Sequence, residues 1–101
     1  MTEYTWPVDL SYEQVAREWS ATVSALPVGT RITGQVIGRQ PFGVFIRIDG
    51  VPNAVGLADI GSMPPSASLP ALRTPISGEV VWHTEHNHEV RIRLSEWTDH
   101  S

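Results

Sequence analysis

Cysteine is absent from all 101 residues, which excludes a disulfide framework and a thiolate metal site and leaves the fold to rest on packing alone. Lysine is absent too. All seven basic residues are arginine, the side chain suited to bidentate phosphate contacts and to stacking on bases. No apolar run approaches the roughly 18 residues that span a bilayer. The opening Met1-Thr2-Glu3-Tyr4 lacks the basic and apolar regions of a secretory signal, so a cytoplasmic protein without membrane association is expected. Catalytic signatures are missing as well: there is no glycine-rich phosphate loop, no Gly-x-Ser-x-Gly turn, no cysteine nucleophile and no recognisable carboxylate pair. The chain reads as a binding protein without a cofactor rather than as an enzyme.

What is present is ordinary for a folded protein: 41% hydrophobic and 18% charged residues, enough for one domain with one core. The net charge of −4 argues against a strong general affinity for nucleic acid, which depends on neutralising phosphates. The charge is unevenly spread. From Gly29 to Trp97, Arg31, Arg39, Arg47, Arg73, Arg91 and Arg93 balance Asp49, Asp59, Glu79, Glu85, Glu89 and Glu96. The excess acid comes from Glu3, Asp9, Glu13 and Glu18 against Arg17, and from Asp99.

Residues 1–10 show no clear period and read as an extended lead-in. From Ser11 the pattern becomes helical. Ser11-Tyr12-Glu13-Gln14 fits a capping box, and Tyr12, Val15, Ala16, Trp19, Val23 and Leu26 recur every three or four residues, which predicts one amphipathic helix over 12–25 ended by Pro27. Beyond Gly29 the period falls to two. Strands are expected over 31–37, 43–48, 54–60, 76–84 and 90–95, with Gly34 allowing the first to coil. The proline-rich stretch 61–74 reads as a long, partly ordered loop. One helix followed by five strands is a barrel pattern rather than a βαβ pattern. The expected division is an N-terminal extension and helix over 1–28, a barrel over 29–97 and a tail over 98–101.

Four blocks fix the reading further: Gly29-Thr30-Arg31-Ile32-Thr33-Gly34-Gln35-Val36, Pro41-Phe42-Gly43-Val44-Phe45-Ile46, Val55-Gly56-Leu57-Ala58-Asp59-Ile60 and Val90-Arg91-Ile92-Arg93-Leu94-Ser95. Their order and spacing resemble the S-one RNA-binding domain of ribosomal proteins. The resemblance implies a mainly β, five-stranded oligonucleotide-binding (OB) barrel, preceded here by the helix, in a short stand-alone bacterial protein. It also implies that Phe42 and Phe45 stack on bases and that Arg91 supplies the basic position of the last strand. Two departures are noted. The family's histidine is placed on Ala58, and an acid near the end of the fourth strand falls at about Thr84.

Alternation supports the same face. With Val44 and Ile46 inward, Phe45 lies on the outer surface beside Phe42, and each base stacked on such a ring contributes about 1–3 kcal/mol. Arg39, Arg47, Arg91 and Arg93 are the candidate phosphate partners, and single-stranded RNA the expected ligand. A competing reading packs Phe42 and Phe45 beneath the helix or the long loop and makes the barrel the scaffold of a protein-interaction module. His83, His86 and His88 with Glu85 are the densest set of metal-ligand types, but with Asn87 between them they read as a polar surface turn, and no metal site is expected. Trp19 is expected to dock the helix, while Trp82 and Trp97 are open to core or rim.

Overall fold

The computed structural model describes residues 4–8 and 10–98. Glu3, Asp9, Asp99 and the end of the tail lie outside the described residues. The helical region forms as two pieces, α1 (Tyr12–Arg17) and α2 (Trp19–Ala25), instead of the single helix expected. Ser11 caps α1 as anticipated, its hydroxyl accepting from the Gln14 N–H at 3.2 Å. Glu18, at φ −94° and ψ 9°, sits in the sparsely allowed region between helix and strand and breaks the run. The break has a packing cause: Val15 of α1 and Trp19 of α2 enter different apolar clusters, one outside the barrel and one continuous with its interior. Leu26, held out of helical geometry before Pro27, closes α2.

Five strands follow: β1 (Arg31–Gln40), β2 (Gly43–Ile48), β3 (Val55–Asp59), β4 (Pro75–Thr84) and β5 (Glu89–Leu94). They close into a barrel in the order β1-β2-β3-β5-β4, an OB architecture. All neighbours are antiparallel except β3 and β5, which run parallel. Gly34 is where β1 coils against both β2 and β4, and an added Cβ there would run into the Arg47 carbonyl. Val36, Val44, Ile46, Val80, Val90 and Leu94 fill the interior, and Trp97, in a 3-10 turn after β5, joins them. Trp97 is thus core, while Trp82 is 66% exposed.

The connection over 61–74 is fastened to the barrel at several points. Met63, Ala67 and Leu69 pack on the core, and backbone bonds from Arg73 N–H to the Val36 carbonyl and from Val36 N–H to the Thr74 carbonyl extend the edge of β1. The polar turn between β4 and β5 is also employed. His83 Nε2 lies 2.6 Å from the Leu26 carbonyl, Glu85 accepts from the Trp19 indole N–H at 3.2 Å, and the His88 ring lies edge-on to Trp19 at 5.4 Å. A carbonyl only accepts, so His83 Nε2–H is the donor. The turn therefore clasps α2, with Trp19 docked as the helical stripe implied.

Candidate nucleic-acid interface

The side chains of β2 alternate as expected, with Val44, Ile46 and Ile48 inward and Phe45 and Arg47 outward. Phe45 is nevertheless only 4% exposed, so its expected place on an open surface is corrected. Val15 of α1, Leu10, Val55 and Leu57 pack around it outside the barrel. Trp6 covers it, with ring centroids 5.8 Å apart.

Trp6 is carried there by the lead-in, which crosses the barrel as a strap. Thr5 and Arg39 exchange both backbone hydrogen bonds at 2.8 Å, and Pro7 packs on Gly38, where any Cβ would lie 2.8 Å from the proline Cδ. Phe42 lies 6.0 Å from Trp6 and 5.9 Å from Phe45. Phe45 thus forms the floor, while Trp6 (57% exposed) and Phe42 (40% exposed) present ring surface to solvent. Trp6 takes the exposed position expected of Phe45.

Next to the rings, the register lines up Phe45 with Leu57 and Leu57 with Arg91 across β2, β3 and β5. A shallow trough results, lined by Trp6, Phe42, Phe45, Asp59, Glu89 and Arg91 among others. Ala58 is fully buried inside the barrel, so the outward polar position of β3 is not Ala58, where the family histidine was placed, but Asp59, one residue on. Asp59 Oδ1 accepts from the Gly61 N–H and Oδ2 from Arg91 Nη1 at 3.2 Å. A half-exposed pair of this kind adds about 0–1 kcal/mol to stability, so its main effect is to aim the guanidinium.

The other arginines are dispersed. Arg39 donates to the carbonyls of Pro70 at 2.8 Å and Leu69 at 3.1 Å and fastens the long loop. Arg93 pairs with Glu79 at 3.3 Å in a separate depression that includes Arg31 and Glu96. Arg47 lines a third cleft on the far side of the strap, with Arg73, Gln35 and Trp6. The structure therefore gathers Phe42, Phe45 and Arg91 and leaves Arg39, Arg47 and Arg93 outside the trough.

Sequence reasoning missed Trp6, Asp59 and Glu89. Gly38, a glycine within a strand, carried a usable signal for the strap, since such positions mark close approach of another backbone.

Glu89 sets the trough's charge. Burial pushes its carboxyl above the usual carboxylate range, while Arg91, a hydrogen bond from Asn87 and His86 pull it back. Tyr12 of α1 is raised in turn by its own partial burial and by Glu89. Because the folded chain holds the Glu89 proton more tightly than the unfolded chain, folding takes up a proton, and this contribution to stability is lost as pH rises through the raised value. Glu89→Gln is expected to raise the melting temperature at neutral pH and to flatten that pH dependence, read by thermal unfolding between neutral pH and the carboxylate range. An unchanged profile would mean that the carboxyl is not strained by its surroundings.

No family model matches the chain, and no curated protein does. Solved structures do. The apo form of Mycoplasma genitalium RNase R matches with a TM-score of 0.67 at 16% identity, over 81% of this chain and 15% of that one. The same enzyme in complex with ribose-methylated single-stranded RNA matches with a TM-score of 0.65 at 15% identity, over 78% and 14%. The solution structure of GSP13 from Bacillus subtilis matches with a TM-score of 0.60 at 18% identity, over 75% of this chain and 61% of that one. The chain thus spans a small part of RNase R and less than two thirds of GSP13. At these identities the likeness is one of fold.

Proposed function

We propose that this chain is an S-one-like module that binds single-stranded RNA on the outer face of β2, β3 and β5. The observation that carries the reading is the pair of exposed rings, Trp6 and Phe42, seated on Phe45 beside an arginine aimed by Asp59. Folding gains little from leaving these rings in water, whereas an unpaired base gains by stacking on them. The fold shared with an RNase R structure that holds single-stranded RNA supports the same ligand class.

Bases stack on the outward surfaces of Trp6 and Phe42, and Arg91 meets the phosphate or base edge between them. Asp59 keeps the guanidinium in place, and the Glu89 carboxylate opposes phosphate. Arg91 is the one arginine among the residues lining the trough, so the salt dependence is shallow, with a slope of about −0.7 in log K against log salt for each phosphate contact on a single strand.

The test is a titration of labelled oligouridylate and its DNA counterpart at low and moderate salt, with wild type and Phe42→Ala. The expected result is RNA binding weakened about tenfold in the variant, the cost of one stacked base. Wild type that binds neither oligomer at low salt would remove the reading and turn attention to a protein ligand for the same face.

A further inference from the structure

The row that builds the trough does not end at Arg91. Phe45 faces Leu57, Leu57 faces Arg91, and Arg91 faces Trp82 of β4. Three steps between neighbouring strands place Trp82 about 14 Å from Phe45 along this row.

Trp82 reaches the outer face through an irregularity. Val80 pairs with Ile92, both inside the barrel, and the next pair is Trp82 with Arg91, so Val81 is an extra residue in β4. Without that bulge, regular alternation would set Val81 opposite Arg91 and turn Trp82 toward the interior beside Val90. The bulge sends the larger ring outward, where it stands 66% exposed without a ring partner among the described residues. Packing gains nothing from this arrangement. Bulges that redirect a side chain recur beside binding sites.

A second depression surrounds Trp82, lined by Ser62, Val81 and Thr84 together with Leu57, Asp59 and Arg91. The last three residues also line the first trough, so the two depressions meet at the Asp59–Arg91 pair. Rings therefore stand at both ends of a continuous surface with one cation between them. That is the order in which a single strand presents base, phosphate and base to a stacking platform.

We infer that Trp82 is a second stacking station, and that the bound strand crosses the barrel from Trp6 and Phe42 over Arg91 to Trp82. This extension rests on the proposed RNA-binding reading. It predicts length-dependent binding: an oligomer of about two nucleotides occupies the first ring patch alone, while one of about twelve reaches both.

The experiment compares the two lengths of oligouridylate on wild type, Trp82→Ala, Trp82→Phe and Phe42→Ala. With Trp82 so exposed, the alanine variant keeps the fold, which its thermal unfolding verifies. The expected result is that Trp82→Ala weakens the longer oligomer about tenfold and leaves the shorter one unchanged, that Trp82→Phe restores most of the loss, and that Phe42→Ala weakens both. Trp82→Ala with wild-type affinity for both lengths, while Phe42→Ala weakens both, overturns the second station and leaves the first patch standing. Equal loss on both lengths also overturns it, because Trp82 would then belong to the first patch. Wild type that binds neither length removes the underlying reading and the extension with it.

Discussion

Trp19→Ala is expected to lower stability by about 3–5 kcal/mol, the usual cost of truncating a buried tryptophan. For a domain of this size the melting temperature should fall by more than about 12 °C. The ring touches both halves of the molecule. It belongs to the cluster that fills the barrel, its N–H is bonded to Glu85, and His83 and His88 meet it edge-on. α2 has seven residues and cannot hold itself together in water, so the helix survives only while it is docked. Trp19→Phe keeps the apolar contact and gives up the hydrogen bond, so it should cost far less. Thermal unfolding followed by circular dichroism reads both variants. A change under about 1 kcal/mol for the alanine variant would show that α2 lies outside the cooperative unit.

Joint replacement of Trp6 and Phe42 by alanine should weaken RNA binding by at least about 30-fold, since each stacked base carries about 1–3 kcal/mol and both rings of the first patch are lost. Stability should change less than in Trp19→Ala, because both rings already stand partly in water. The single variant Trp6→Ala has a sign that matters. If the tryptophan itself receives a base, affinity falls. If it only shields Phe45, its removal uncovers that ring and affinity rises. The geometry favours a fall, because Trp6 offers more open surface than Phe42 and Phe45 is additionally packed by Val15 and Leu10. Fluorescence anisotropy of a labelled oligomer distinguishes the two.

The barrel was legible because its signals are local. Alternation placed Val44 and Ile46 inside and Phe45 outside, and a proline after Leu26 ended the helical region where it should. The covering of Phe45 was not legible, since it depends on Thr5 pairing with Arg39, two residues far apart in sequence with no periodic pattern around the first. The break at Glu18 escaped notice for a related reason: a hydrophobic stripe shows which residues are buried, but not that Val15 and Trp19 are buried on different sides of a corner. Arg39 looked like a phosphate ligand because charge is visible in a sequence and the carbonyls of Leu69 and Pro70 that engage it are not. His83 near the end of β4 and His88 in the turn after it suited a solvated tip equally well, and only the nearness of α2 and Trp19 gives them their employment.

Closing a small barrel from strands of unequal length leaves an overhang. β4 pairs with β1 only from Arg31 to Gln35, and the rest of β1, unpaired on that side, would be a template on which another chain could add a strand. Here Val36 bonds to Arg73 and Thr74, and Arg39 bonds to Thr5, so loop and strap occupy that edge in succession. The segment that carries Trp6 to its place is thus also a guard against self-association. Its loss would change the colloidal behaviour of the protein as well as its binding face, turning a sealed barrel into one with a sticky seam.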